Sequence, residues 1–249
     1  MRAVAGSLAD CELSFVGRSA IDVPRAQAQQ AAYAQALSAL GCHIQWLPPL
    51  AAHPDGVFVE DTAVVVDEVA VITRPGAASR RGEVESTAAA LAGHRPLARI
   101  TEPATIEGGD VLRIGRQFYV GASARSNAAG VAQLGAALAP FGYSVQAVEM
   151  RDCLHLKSAA TLIAPGTLLA NPDWVDPAEF GCARVIEVAP GEAFGSNTLT
   201  LGGTTLVSAD YPATQARLEQ AGIATQVLDV SELHKAEAAL TCLSIILGA

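Results

Sequence analysis

The sequence predicts an α/β fold closed into a propeller-like ring, a single domain spanning residues 1–249. Three observations predict it: alanine-rich helical segments ending on glycine, pairs of short apolar strands between them, and a polar or reactive side chain opening each pair. The helical segments are YAQALSALGCHI, ESTAAALAGHRPL, VAQLGAALAPFGYSV and ARLEQAGIATQV. Gly41, Gly93, Gly142 and Gly222 stand where a left-handed helix C-cap would. Their spacings are about 50, 50 and 80 residues, as if one helix of the series were missing or shortened.

The strand pairs open with VFVEDTAVVV, IEGGDVLRIG, LHLKSAATLI, GSNTLTLGG and LTCLSIIL, at intervals of 40 to 50 residues or so. The repeating unit is therefore strand, turn, strand, helix. Five units fit if the strand after Cys242 shares a module with an N-terminal helix from about Pro24 to Leu40. Asp22 supplies that helix with an N-cap and Pro24 with an early helical proline. A chain whose two ends complete one module closes a ring, and its strand starts then converge on one channel. Alternating strands and helices would also suit an ordinary doubly wound sheet.

Hydrophobic residues make up 51% of the chain and charged ones 16%, which suits a compact chain with little disorder. The formal net charge of −9 argues against nucleic acid, whose phosphates require clustered Lys and Arg, and suits a cationic ligand. No apolar run approaches the roughly 20 residues of a membrane-spanning helix. The opening MRAVAGSLADCELSF is too short and too interrupted by acids for a signal peptide. The cysteines at 11, 42, 153, 182 and 242 are odd in number and form no CxxC pair, so free thiols in a cytoplasmic protein are expected.

The strand starts gather Asp55, Glu60, Asp61, Glu107, Asp110, His155 and Cys242. A thiol, an imidazole and several carboxylates suit nucleophilic attack on a cationic carbon. The thiolate is the nucleophile, histidine carries protons, and carboxylates bind a guanidinium through charge-assisted hydrogen bonds. Each residue also has a plainer reading. Cys242 reads as a small apolar residue of a core strand. Glu107 to Asp110 reads as a tight turn whose glycines allow positive φ, His155 as an ordinary hydrogen-bonded histidine, and Arg80 and Arg125 as surface charges. Cys153 and His155 share a strand face, but two ligands without partners make no metal site.

Together the motifs resemble the dimethylarginine dimethylaminohydrolase family of guanidino-group-modifying enzymes. PDGVFVEDTAVV, ITRPGAASRRGE, EGGDVL, FYVGASARSNAAG, LHLKS, SADYPATQARLEQAG and LTCLS follow the family's order, and the likeness runs from about residue 11 to residue 247. LHLKS and VFVED are the most specific, whereas EGGD is shared with other guanidine-modifying enzymes. The resemblance implies a five-bladed α/β propeller, the pentein fold, with ββαβ-type modules about a pseudo-fivefold axis. It implies hydrolysis of Nω-methylated arginine to citrulline and a methylamine. Cys242 then matches the nucleophile, His155 the general acid/base, and Glu107 the carboxylate holding the guanidinium. Glu60 and Asp61 match substrate-site acids, Phe58 a wall, and Asp55 the residue that meets the amino-acid end. Arg80 and Arg125 match a pair recognising that end's carboxylate, as the planar guanidinium fork allows. Leu13 matches a lid residue and Ala236 a main-chain carbonyl contact.

No metal or organic cofactor is implied. The expected partner is a small molecule, with no nucleic acid or membrane, for a monomer or homodimer. Two rivals share the architecture. Arginine deiminases resemble a longer chain with an acid two residues after the histidine, where this chain has Lys157. Non-catalytic binding propellers, such as a ribosome anti-association factor, lack the thiol.

Overall fold

The computed structural model describes residues 1–248; Ala249, the last residue of the predicted domain, lies outside the described residues. The first helix, α1 (Val23–Ala39), forms where the sequence predicts it. The Asp22 carboxylate accepts a hydrogen bond from Arg25 N at 3.0 Å, and Pro24 sits in the first turn. At its end, Gly41 adopts φ +93°, which lets Cys42 N reach back to Leu37 O at 3.0 Å. Gly93 departs from the pattern, since its φ is not positive.

Four modules follow on one plan. The first is β1 (Ala63–Val65), β2 (Ala70–Ile72), α2 (Val84–Leu91) and β3 (Leu97–Arg99). The second is β4 (Val111–Ile114), β5 (Gln117–Gly121), α3 (Ala128–Leu138) and β6 (Ser144–Val148). The third holds the one-turn helix α4 (Leu156–Ala159), then β7 (Ala160–Ala164), β8 (Thr167–Ala170) and β9 (Arg184–Glu187). The fourth is β10 (Leu199–Leu201), β11 (Thr204–Ser208), α5 (Pro212–Gln220) and β12 (Ala224–Leu228), with the short α6 (Ser231–His234) after it.

In each sheet a tight antiparallel pair is joined by a third strand that returns parallel to the second. A parallel return needs a crossover, and the helix supplies it. In the third module a four-residue 3-10 turn, Pro177–Phe180, stands in for that helix. This is the helix whose absence the 80-residue glycine interval predicts.

The middle strands β2, β5, β8 and β11 are buried almost throughout; β2 (AVI) and β8 (TLLA) read as apolar runs, whereas β11 (TTLVS) also buries Thr205 and Ser208. Leu168, Ala170 and Val120 are wholly inaccessible, and burying one Val or Leu side chain contributes about 1.5–3 kcal/mol. The core is divided into five clusters. The structure is thus an α/β propeller of repeated modules, as predicted.

The fifth module departs from expectation. Residues 244–248 are not hydrogen-bonded into a sheet, and the start of the chain meets its third-strand position only at the parallel bridge Arg2↔Leu47. Among the described residues, no backbone hydrogen bond engages Ile245, Ile246 or Leu247. A cavity of about 460 Å³ separates this run from residues 42–45 where a middle strand would lie.

Candidate active site

The turns before each first strand touch one another around the ring. The turn Val59–Thr62 meets both Gly108–Asp110 and Thr241–Leu243, while α4 meets Gly108–Asp110 and Ala193–Ser196. Asn197 closes the circle: its Nδ2 donates to Thr241 Oγ1 at 3.2 Å and its Oδ1 accepts from Thr241 N at 3.1 Å. Glu60, Asp61, Glu107, His155 and Cys242 all ride on or beside these turns. Residues nearly two hundred positions apart therefore share one channel.

The two glycines of EGGD serve this crowding. Neither has a positive φ, which corrects the expectation from the tight-turn reading. Instead, a Cβ on Gly109 would lie 2.7 Å from His155 Nδ1 and 2.8 Å from Asp61 Oδ1, while one on Gly108 would collide with Glu60 O. Gly109 N also donates to Asp61 Oδ1 at 2.9 Å. These positions are bare so that histidine and carboxylate can press on the backbone.

His155 Nε2 lies 2.8 Å from Glu107 Oε2 and 3.9 Å from Asp61 Oδ1. Burial alone would drive the imidazole toward neutrality, but Asp61 and Glu107 outweigh it and lift His155 to about 9. Burial likewise opposes charge on the acids. The imidazolium overrides it at Glu107, whose carboxyl falls below its ordinary value, and His155 with Arg80 holds Asp61 at about 2. At neutral pH the site therefore holds a histidinium clamped between two carboxylates. Asp61, Glu107 and His155 offer ligand atoms within 4.8 Å of one another, spacing that a small cation could use. Arg80 Nη1, 2.7 Å from Asp61 Oδ2 and 3.9 Å from Glu107 Oε2, already supplies positive charge there.

A proton that is held more tightly in the fold than in the unfolded chain stabilises the fold only while it is bound. Unfolded histidine titrates near 6.5. The contribution of His155 is full below that value and is lost as pH rises through about 9. The melting temperature is expected to fall between about pH 7 and 9.5, and a His155→Gln variant to show a shallower fall over the same range.

Cys242 is buried, and burial, with Glu60 and Asp61 adding to it, pushes its thiol up to about 12. The resting nucleophile is therefore the thiol. Cys242, His155, Asp61, Asp55, Phe58, Arg80, Arg125 and Ala236 border one small pocket, together with Glu12, Leu154, Glu237 and Ala238. Glu107, expected to hold the substrate guanidinium, does not border the pocket: it is wholly buried behind it, with Oε2 on His155 Nε2. Glu60, expected as a substrate-site acid, does not border the pocket: its oxygens are taken by Lys157 Nζ at 2.6 Å and Thr241 Oγ1 at 2.7 Å. Arg80 borders the pocket with its donors already committed to Asp61, Glu83 and the carbonyls of Asp55 and Phe58. Arg125 is the freer cation, 3.7 Å from Glu12 Oε2 and 3.6 Å from Glu107 Oε1.

The pocket measures about 20 Å³, room for roughly one water. The segment after Cys11 covers it. Glu12 N donates to Asp55 Oδ2 at 3.1 Å, and the Glu12 carboxylate accepts from Ser79 Oγ. The Glu237 carboxylate accepts from three successive amides, those of Ser14 (2.7 Å), Phe15 and Val16 (2.6 Å). Leu13, expected as a lid residue, lies within this covering segment and packs its side chain against the core beside α1, not into the pocket. Glu237 has φ +56°, a strained conformation for a residue with a side chain, and it aims the carboxylate at the covering segment. Nothing in the sequence around Glu237 marks it out. Replacing it with alanine is expected to release this cover: hydrogen exchange of the amides at 14–16 should quicken by at least about tenfold, while amides of β5 stay unchanged.

Asp110, gathered among the strand-start acids but given no role by the resemblance, supports the histidine. It accepts from Leu156 N at 3.1 Å and from Ser123 Oγ and Ser126 Oγ at 2.6 Å each. Burial raises its carboxyl to about 6. All five cysteines are free thiols.

A thiol, a clamped histidinium and a wall of carboxylates at the centre of an α/β propeller define a guanidino-group-modifying enzyme of the pentein class. The chain is 41% identical over 241 residues to N(G),N(G)-dimethylarginine dimethylaminohydrolase of Streptomyces coelicolor, covering 96% of this chain and 92% of that relative. It is 35% identical over 226 residues to the Pseudomonas aeruginosa protein of the same description, covering 90% and 89%. A solved structure of the latter, a cysteine-to-serine mutant complexed with citrulline, matches with a TM-score of 0.93 at 34% identity, over 97% of this chain and 95% of that one. The N-terminal domain of a cyanobacterial arginine dihydrolase shares the fold, with a TM-score of 0.89 at 21% identity over 98% and 95% of the chains. No family model matches. The chain belongs to the dimethylarginine dimethylaminohydrolase family.

Proposed function

We propose that this chain hydrolyses Nω-methylated L-arginine, asymmetric dimethylarginine or monomethylarginine, to L-citrulline and dimethylamine or methylamine. The observation that carries this reading is the His155 imidazolium held by Glu107 and Asp61 at the pocket that Cys242 borders. When the covering segment opens, the substrate guanidinium enters against Asp61, and its fixed positive charge favours release to solvent water of the thiol proton that burial otherwise holds. The Cys242 thiolate forms a bond to the guanidinium carbon. The bond to the methylated nitrogen breaks as His155 gives its proton to the departing amine, leaving a thiouronium. The now neutral His155 takes a proton from water. The resulting hydroxide adds to the same carbon, the carbon–sulfur bond breaks, and the adduct's hydroxyl proton passes to the departing sulfur, leaving citrulline and the Cys242 thiol. Dividing one displacement into two is the usual gain from covalent catalysis. Glu107 keeps the imidazole oriented and charged.

At the amino-acid end, Arg125 exchanges the Glu12 carboxylate for that of the substrate. Asp55, released from Glu12 N, meets the ammonium with the Ala236 carbonyl, and Phe58 forms a wall. Arg80 fixes Asp61 from the side. No helix among the described residues is long and apolar enough to cross a membrane. We infer one catalytic domain, monomeric or homodimeric, working without cofactor, and the free thiols support a cytoplasmic setting. Citrulline release from a panel of asymmetric dimethylarginine, monomethylarginine and arginine tests the reading. Turnover of the methylated substrates supports it, and faster turnover of arginine would assign the chain to deimination instead.

A further inference from the structure

The Lys157–Glu60 pair stands outside the steps just described, yet it is built into the channel behind the nucleophile. Lys157 comes from α4, two residues after His155, and its Nζ lies 2.6 Å from Glu60 Oε1. The other Glu60 oxygen accepts from Thr241 Oγ1 at 2.7 Å, and Thr241 is the residue before Cys242. Asn197 holds the same threonine by both its backbone amide and its hydroxyl. Side chains from two modules, Glu60 and Asn197, therefore meet on Thr241, Lys157 of a third braces Glu60, and Thr241 leads directly into the nucleophile. On the far side of this cross-tie lies a cavity of about 220 Å³ bordered by Glu60, Lys157 and Thr241, so the pair also walls the closed pocket from the other end of the channel.

We propose that Lys157 is a positioning residue for Cys242, acting through Glu60 and Thr241. The inference rests on Cys242 being the nucleophile of the reaction above. Two effects combine in it. Mechanically, Lys157 fixes the Glu60 carboxylate, which fixes the Thr241 hydroxyl and hence the approach of the thiol. A displacement on the order of 1 Å at a reacting atom is enough to lose about 100-fold in rate. Electrostatically, Lys157 balances Glu60, a buried negative charge near the thiol that opposes the thiolate. Without the ammonium, Glu60 either keeps its charge against the thiolate or takes up a proton. In either case the tie to Thr241 is altered.

The test is Lys157→Met, compared with Lys157→Arg, Thr241→Ser and the double variant Lys157→Met/Glu60→Gln. The readouts are steady-state citrulline release and the pH dependence of Cys242 alkylation by iodoacetamide, followed by mass spectrometry. Lys157→Met is expected to lower kcat by about 10- to 100-fold with KM changed less than about threefold. Its alkylation profile is expected to move to higher pH. Lys157→Arg and Thr241→Ser keep the charge and the hydroxyl and are expected to recover most of kcat. The double variant removes the unbalanced charge and is expected to bring the alkylation profile back toward the parent, which keeps the test readable if Lys157→Met folds poorly. An unmoved alkylation profile in both Lys157 variants and the double variant, with activity falling only as far as melting temperature falls, would reduce the pair to a structural tie and overturn the proposal. The alkylation arm needs no substrate, so it still reads if the parent fails to turn over methylated arginine.

Discussion

Serine in place of Cys242 is expected to lower citrulline release from asymmetric dimethylarginine by roughly four orders of magnitude or more, while leaving the fold and ligand binding in place. The hydroxyl is close to the thiol in size, so the core around α1, Leu240 and Leu243 has no reason to repack. What changes is acidity. The thiol is already pushed up to about 12 by burial, and the incoming guanidinium has to overcome that penalty. A hydroxyl starts several units higher, beyond what one fixed charge can offset. Binding titration of dimethylarginine to the serine variant should give an affinity near that of the parent enzyme. Turnover by that variant would remove Cys242 from its role.

The second large effect is expected at Gly109. Its φ is not in the left-handed region, so alanine there is not opposed by the backbone. The added methyl would instead sit 2.7 Å from His155 Nδ1 and 2.8 Å from Asp61 Oδ1, and both side chains would have to retreat. Moving the proton carrier and the neighbouring acid together is expected to cost about 100-fold or more in kcat. Gly115→Ala provides a matched control. Gly115 has φ +62° and nothing within 4 Å of a new Cβ, so alanine there strains a turn and touches nothing. That variant should lose about 1 kcal/mol of stability and none of its activity. If Gly109→Ala behaves like Gly115→Ala, the close approach of Gly109 to His155 does not matter for catalysis.

The parts of this molecule legible in the sequence were those that repeat or that carry distinctive chemistry. Five strand starts and four glycine-closed helical segments were enough for the ring, and the long interval after Gly142 pointed to the helix that became Pro177–Phe180. Asp22 at the head of α1 was legible because capping is local. The orientation of an acid was not. Glu60 and Asp61 are adjacent and alike in sequence, yet one meets Arg80 at the pocket and the other turns to Lys157, a partner 97 positions away. EGGD suggested a turn with positive φ because glycine's commonest use is conformational; its use here is to leave room for His155, a fact of tertiary packing. Glu237 reads as one more acid in KAEAAL, and only its backbone conformation directs it to the amides of Ser14 and Val16. The final run SIIL looked like a strand by composition, but a ladder needs a partner, and none of its apolar residues finds one among the described residues.

That unpaired run gives the ring the mechanics of a bracelet. Four links are riveted by three-stranded ladders, and the fifth is a clasp held by side chains (Asn197 and Glu60 on Thr241, Tyr33 on Ser244), by one bridge at Arg2, and by apolar packing. Thermal breathing will be concentrated at the clasp, since it has the fewest backbone hydrogen bonds to break. The nucleophile is mounted beside it. Slack in the clasp therefore reaches Cys242 before it reaches His155 or Glu107, which belong to riveted links, and warming should erode the thiol's placement while the acid–base pair is still intact.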